Sequence, residues 1–144
     1  MNREILFRGK LEYNGKWIYG DLLQYENGDV AIFGEKLSSF GCECTEMSKR
    51  DRVIPDTIGQ YTGLKDKDGN KIFEGDILEY IGKRKDNMNK VYRRKVVFHE
   101  EMFALLSKEL QAYSALKHHC MEDGRFAWRV IGNIHDNPNY QASV

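Results

Sequence analysis

The densest concentration of charge in the chain is the basic segment Lys83–Lys95, in which seven cationic side chains accompany a single acid. Lysine and arginine neutralise phosphates and a tyrosine can stack on a base, so such a segment would bind nucleic acid in a salt-dependent way. The alternative is a solvated loop between two strands, whose charge discourages edge-to-edge association. We favour the loop, because the rest of the chain supplies no second basic face. The candidate nucleic-acid residues are Lys83, Arg84, Lys85, Lys90, Tyr92, Arg93, Arg94 and Lys95.

A second group of residues, Asp66-Lys67-Asp68-Gly69-Asn70, resembles the start of a calcium-binding loop. Alternate oxygens would ligate the ion, but the pattern fails further on. Lys71 stands where a glycine must make the sharp turn, and Ile77 stands where a bidentate acid is required. We therefore interpret this segment as the polar loop of a hairpin.

Cysteine and histidine side chains provide a third candidate, a zinc site. Cys42 and Cys44 could supply thiolates, and His118, His119 and Cys120 could complete the ligands. The Cys-x-Cys spacing is poor for structural zinc, so we interpret these residues as unrelated. The sequence leaves open whether they meet in space, and we predict no metal and no cofactor.

Motifs for catalysis are absent from the sequence. It contains no Gly-x-Ser-x-Gly, Walker loop, Gly-x-Gly-x-x-Gly or His-Glu-x-x-His pattern. We therefore predict no catalytic residue, and the absence of such motifs favours a protein that is not an enzyme.

Composition narrows the class further. The 144 residues include 22 basic and 22 acidic side chains, a balance that argues against bulk binding to nucleic acid or membranes. The apolar run near the N-terminus is too short for a signal peptide, and no stretch could span a bilayer. Three cysteines are an odd number and fit a reducing compartment. We expect a cytoplasmic protein.

The elements that would position these residues are mainly β-strands. Turns are expected at Asn14-Gly15, Asn27-Gly28, Asp68-Gly69 and Asp123-Gly124. The neighbouring hydrophobic runs predict strands at Ile5–Tyr13, Lys16–Tyr25, Asp29–Gly34, Ile77–Ile81, Val91–His99 and Phe126–Ile134, with Glu35–Arg52 as the least regular connection.

The segment Glu100–His119 is ambiguous. Met102, Leu105, Leu106, Tyr113 and Leu116 match helical spacing, but Val96–Leu106 could equally form a strand, a turn and a strand. Good helix formers and the lack of glycine or proline favour a helix that caps the β core. A β-hairpin, the strand-turn-strand structure, remains the alternative.

An internal sequence similarity, called here the internal echo, bears on domain organisation. Lys16–Tyr25 aligns with Lys71–Tyr80, and Gly20 then falls on Gly75. The echo indicates either two related β units, about residues 1–50 and 51–144, that share one core in a single domain, or similar turn chemistry that arose twice. Glycine before aspartate lets a chain turn through positive φ, so we interpret both Gly-Asp steps as scaffold.

Three sequence blocks together resemble the YopX family. They are Phe7–Lys10 with Gly15–Leu22, Ile58–Asp66 through Ile72–Ile77, and Val130–Pro138. The resemblance implies a small protein encoded by a bacteriophage or prophage, and a β-rich pseudo-barrel capped by a helix, with some likeness to SH3-type barrels. It implies no activity and no site residue. Glu35–Arg52 and Glu100–Arg125 match weakly, which leaves the cysteines and histidines without family support.

The leading functional hypothesis is a non-enzymatic phage or prophage accessory protein that binds a host or phage protein or assembles with itself. Exposed aromatic residues on small sheets often form such interfaces, and Trp17, Tyr19, Tyr25 and Tyr61 are the candidates. The alternative is nucleic-acid binding through the basic segment.

Overall fold

The computed structural model describes residues 3–34, 52–121 and 126–142. The chain divides into two compact units, Met1–Tyr61 and Thr62–Val144. The division into related β units with a shared core stays a prediction.

The described residues form ten strands. The strands are β1 Phe7–Lys10, β2 Trp17–Gln24, β3 Val30–Gly34, β4 Gly59–Lys65, β5 Lys71–Phe73, β6 Asp76–Ile81, β7 Val91–His99, β8 Met102–Ser107, β9 Ala112–Ala115 and β10 Arg129–Asn133. Short 3-10 helices lie at Pro55–Thr57 and Leu116–His119, and helix α1 is Pro138–Ala142.

The strands form two antiparallel sheets of five strands each. The first has the order β3-β2-β1-β4-β5, in which β1 to β3 and the start of β4 belong to the first unit. The second, entirely within the second unit, has the order β10-β6-β7-β8-β9. The prediction of a mainly β, antiparallel fold is confirmed. Over the described ranges each sheet keeps two edge strands, so neither closes into a barrel.

The helix predicted within Glu100–His119 is wrong, and the hairpin alternative is correct. Strand β8 pairs with β7 on one side and with β9 on the other. The β7–β8 turn consists of Glu100 and Glu101, which both have positive φ, the geometry of a two-residue type I′ hairpin turn. Cross-strand packing overrides helix propensity here. Helix α1 is the α-helix among the described residues, and it has only five residues.

All six strands predicted from the turn signals are confirmed, with ends that differ by up to three residues. The predicted turns at Gly15, Gly28 and Gly69 are also confirmed, since all three glycines have positive φ. Strands β4 and β5 were not predicted as separate strands. The Asp123-Gly124 turn and the connection from Glu35 to residue 51 lie outside the described residues. Within the described ranges, no helix is long and apolar enough to cross a membrane.

The two copies of the internal echo differ in local structure. Gly75 lies in a turn with φ of 90°, as predicted. Gly20 lies in the middle of β2, where the prediction of a turn is wrong. It is needed for close approach instead, because a Cβ atom there would lie 1.9 Å from the carbonyl oxygen of Phe33.

Each unit buries its own apolar side chains. In the first unit, Ile32 and Val53 are buried against Gly9, where an added Cβ atom would lie 3.1 Å from the Val53 Cβ. In the second unit, a larger cluster forms over one face of the second sheet. Its buried members are Ile72, Leu78, Val96, Leu105, Leu116, Phe126 and Trp128.

The β4–β5 turn is organised by the Asp66 carboxylate. One carboxylate oxygen accepts hydrogen bonds from the backbone amides of Asp68 (2.9 Å) and Asn70 (2.8 Å). The interpretation of this segment as a hairpin loop is thus confirmed, with the acid bound to the amides of its own loop. Burial raises the pKa of Asp66, but the hydrogen bonds from Val130, Asn70 and Asp68 outweigh it and the pKa is lowered.

The same carboxylate also joins the turn to the end of the chain. Its other oxygen accepts a hydrogen bond from the Val130 amide (3.0 Å) at the start of β10, 64 residues along the sequence. The adjacent Lys67 amide donates to the Trp128 carbonyl oxygen (3.2 Å). The hairpin therefore fixes the position at which β10 begins.

We expect Asp66→Asn to lower the free energy of unfolding by about 1–3 kcal/mol, because an amide leaves buried N–H donors of the turn or of β10 without an acceptor. The loss is measured by urea unfolding. The lowered pKa of Asp66 means that its contribution is complete above the ordinary value of 3.8 and is lost as the pH falls through the folded pKa. The variant should therefore show less of this acid-dependent loss.

Asp68→Asn is the matched control. Its carboxylate makes an ion pair with Arg129 (Nε to Oδ2, 2.8 Å), and both side chains are about half exposed. Such a pair contributes about 0–1 kcal/mol. Equal destabilisation by the two substitutions would contradict the role given to Asp66.

Candidate functional site

A cavity of about 540 Å³ opens on the face of the second sheet that carries the buried cluster. Strand alternation places Tyr92 and Arg94 on the same side of β7 as the buried Val96. The cavity lining includes three kinds of residue that can contact a ligand through rings, charges or hydrogen bonds. They are the aromatic residues Tyr80, Tyr92, Tyr113 and Trp128, the cations Arg84 and Arg94, and the hydrogen-bonding residues Asn87, Ser107, Ser114, His118 and His119, with apolar residues and Cys120 between them.

Three of the eight predicted site residues line this cavity: Arg84, Tyr92 and Arg94. A fourth, Lys90, places its ammonium 5.0 Å from the centre of the Tyr92 ring, and the Arg94 guanidinium lies 5.6 Å from the same centre. Both distances fit cation–π contacts. The structure thus brings Lys90 and Arg94 to the Tyr92 ring and places Arg84 in the same cavity lining.

The other predicted residues lie elsewhere. Arg93 is on the opposite side of β7, where it pairs with Glu79 (Nε to Oε2, 3.2 Å) and covers the ring of Tyr140. Lys95 follows two residues later on that side, opposite Ile77 in β6. Lys85 is exposed in the turn between β6 and β7, and Lys83 lines a different cavity. The basic segment is therefore divided by the two-residue period of its strand.

His119 connects two walls of the cavity. The indole N–H of Trp128 donates to Nδ1 of His119 (3.2 Å), and Nε2 lies 2.8 Å from the Ser114 hydroxyl oxygen. Because an indole nitrogen can only donate, Nδ1 must be the acceptor. In the neutral ring the proton is then on Nε2, which donates to Ser114.

The surroundings of His119 favour this neutral form. Burial lowers its pKa most, and the nearby His118 and Arg94 lower the pKa further. A serine nucleophile needs an unprotonated nitrogen beside its hydroxyl. Since Nε2 carries the proton, His119 cannot accept the proton of Ser114. The arrangement holds the cavity wall in place and leaves the hydroxyl proton of Ser114 free to point to a ligand.

No cluster of three or more possible metal ligands exists in the described parts of the chain. The two ring nitrogens of His119 are already used by Trp128 and Ser114. Cys120 is a free, exposed thiol. Cys42 and Cys44, the other two cysteines considered as zinc ligands, lie outside the described residues.

No motif in the sequence points to Tyr80, Ser114 or Trp128 as site residues, and His119 is a candidate there only for zinc. Tyr80 lies directly opposite Tyr92 in the β6–β7 register. The predicted β6 and β7 could have shown this pair once their register was known. Ser114 lies on β9, within the segment that the sequence predicted as a helix and not as a strand.

The family model described as YopX protein matches residues 6–140. The chain belongs to the YopX family. The crystal structure of protein EF1440 from Enterococcus faecalis is similar, with a TM-score of 0.51 and 23% sequence identity over 95% of this chain and 97% of that one. At this identity the likeness shows the fold alone. No curated protein matches the chain.

The residues that carry the YopX resemblance build the scaffold and not the cavity. None of the cavity-lining residues belongs to the three YopX blocks. In the last block, the Asn133 side-chain oxygen accepts the amides of His135 and Asp136 and closes the turn after β10. Asn137 packs on Gly132, where a Cβ atom would lie 2.3 Å from its side-chain oxygen. The YopX blocks therefore account for the turns and strands of the framework. The chemistry of the cavity has to be inferred from the residues that line it.

We expect NMR to find His119 as the Nε2–H tautomer, because Trp128 donates to Nδ1. In the same titration its pKa should lie below the ordinary value of 6.5. The folded state then binds fewer protons than the unfolded state, so the free energy of unfolding should fall as the pH falls below 6.5.

The exposed neighbour His118 is the internal control, and Trp128→Phe removes the donor while keeping an aromatic ring. The variant should lose the preference for this tautomer. An Nδ1–H tautomer in the wild-type protein would contradict the hydrogen-bond assignment.

Proposed function

We propose that this YopX protein is a non-enzymatic binding protein that takes single-stranded nucleic acid in the cavity of its second unit. The observation that carries the proposal is the combination of Arg84 and Arg94 with partly exposed tyrosine rings in one cavity. Among the described lining residues there is no carboxylate. We further propose a role as a phage or prophage accessory protein, the setting that the family resemblance implies.

The aromatic residues support a ligand with flat rings. The ring centres of Tyr80 and Tyr92 are 6.1 Å apart, and those of Tyr80 and Trp128 are 5.5 Å apart. Trp128 is only 6% exposed and packs on the Tyr80 ring, while both tyrosine rings are partly exposed. Stacking of one base on such a ring contributes about 1–3 kcal/mol.

The cations support a ligand with phosphates. Arg84 forms no ion pair with a described residue, and Arg94 bonds only a backbone oxygen, that of Arg93 (2.7 Å). Both guanidinium groups are therefore free of competing carboxylates in the described chain. Arginine suits phosphate because its planar fork can donate two parallel hydrogen bonds.

The concave shape favours a single strand over a duplex. A cavity of about 540 Å³ is in the range of small-ligand sites and can enclose a base only if that base is unpaired. A duplex keeps its bases stacked inside and would offer only its backbone.

We expect Arg94→Ala to weaken binding of a fluorescent oligothymidylate of about ten nucleotides by about tenfold, because a phosphate contact is lost. The slope of log affinity against log salt should fall by about one. Fluorescence anisotropy at several salt concentrations measures both quantities.

Lys95→Ala is the matched control, since it removes the same charge one residue away on the opposite side of β7 and lines neither cavity. It should leave affinity within about twofold. Tyr92→Ala should cost about 1–3 kcal/mol of binding, whereas Tyr92→Phe should keep most of it. Equal losses for Lys95→Ala and Arg94→Ala would mean that general charge, and not the cavity, attracts the strand.

Self-association is a second candidate function, favoured by a stripe of exposed residues on β2 and just beyond its end in the first unit, in which the charged Asp21 lies between apolar side chains. Tyr19, Leu23 and Tyr25 are 45%, 37% and 43% exposed and follow the two-residue period of one strand face. Tyr61, which the sequence placed among the exposed aromatics, is buried at 6% exposure. The homo-oligomer itself stays a prediction.

If the stripe is an interface, sedimentation velocity should show a species larger than the monomer whose population grows with protein concentration. Leu23→Asp should then shift the protein to monomer. Monomeric sedimentation at all concentrations would exclude self-association through this surface.

A further inference from the structure

A second cavity, of about 400 Å³, adjoins the first in the same unit. Tyr80, Met121 and Ala127 line both cavities and form their shared wall. The second cavity adds residues that the first lacks. They are Lys67, Glu79, Ile81, Lys83 and Arg129.

The second cavity is basic as well. Its carboxylate, Glu79, is already paired with Arg93 (3.2 Å) on the neighbouring strand. Arg129 is partly neutralised by Asp68 (2.8 Å). Lys67 and Lys83 are exposed and make no ion pair with any residue in the described ranges. Two unpaired ammonium groups are therefore available to an anion.

The elements that hold these lysines are fixed. Lys67 lies in the turn organised by Asp66, and its amide donates to the Trp128 carbonyl oxygen. Lys83 follows Gly82, whose amide and carbonyl both bond within the turn between β6 and β7. The two lysine backbones therefore keep their places on the rim of the second cavity.

The geometry points to a ligand longer than one nucleotide. We infer that a single strand crosses the shared wall, with one phosphate against Arg84 and Arg94 and later phosphates against Lys67 and Lys83. This inference rests on the proposed function and deepens it. A free nucleotide carries its charge at one place and would leave one of the two cation groups unused.

Tyr80 acquires a specific role in this arrangement. Its ring belongs to both cavities and can stack on a base at the crossing, while Met121 and Ala127 give the crossing an apolar side. Carboxylates of an acidic peptide would satisfy the cations but would not use the tyrosine rings. The observations therefore favour nucleic acid over an acidic peptide.

The test is a length series of ligands. Thymidine monophosphate and oligothymidylates of two, four and about ten residues are titrated against the wild-type protein by calorimetry or anisotropy. Affinity should rise by about tenfold or more between the shortest and the longest ligands, and the salt slope should steepen by about two. Polyglutamate of similar length serves as the acidic-peptide probe.

Two variants separate the subsites. Lys67→Ala with Lys83→Ala should abolish the gain from length and leave the affinity for the shortest ligands unchanged. Arg94→Ala should weaken every ligand in the series. The matched control is Lys108→Ala with Lys117→Ala, which removes two exposed lysines outside both cavities and should behave as wild type.

Each contrary outcome has its own meaning. If the monophosphate binds as tightly as the longest strand, or the Lys67/Lys83 variant keeps the gain, the second subsite is wrong and the proposed function stands. If no thymidylate binds, both the second subsite and the proposed function are wrong. If polyglutamate binds equally well with the same length dependence, nucleic acid is the wrong ligand class.

Discussion

The hydrogen bonds accepted by the Asp66 carboxylate are the interaction on which the second unit most depends. Asp66 is 5% exposed, and its carboxylate accepts the N–H groups of its own turn together with the amide of Val130. Without it, buried donors at the hairpin and at the start of β10 would lack acceptors, at a cost of about 1–3 kcal/mol for each. Trp128 lies just before β10 and holds His119, which in turn holds Ser114. The cavity wall thus depends on a turn that contributes none of its lining residues.

The strands that the sequence predicted are hydrophobic runs rich in Val, Ile, Phe, Tyr or Trp, and most of them lie beside an Asn-Gly or Asp-Gly turn. The β7–β8 hairpin was only the alternative prediction, and the β8–β9 hairpin was not predicted, because their turns use unusual residues. Glu100, Glu101 and Gln111 take positive φ, although none of them is a typical residue for it. Good helix formers also fill these strands, and only pairing with β7 decides between the two structures.

The candidate site was predictable only in part. A strand at Val91–His99 already implies that Tyr92 and Arg94 lie on one side and Arg93 and Lys95 on the other. The contact of His119 with Trp128 was beyond sequence reasoning, because it depends on how a 3-10 helix and the start of β10 pack together. The same is true of Lys67, which reaches the second cavity through a turn far from the basic segment in sequence.

The hydrogen bond from Trp128 to His119 also gives the protein a built-in optical reporter. Indole fluorescence depends on the neighbours of the ring, and Trp128 lines the cavity with its N–H group bound to a titratable imidazole. The chain has two tryptophans, and Trp17 lies in the other unit beneath Arg8 and Lys10. Replacement of Trp17 by phenylalanine would leave a single emitter, whose spectrum follows the occupancy of the cavity and the proton on His119 without any added dye.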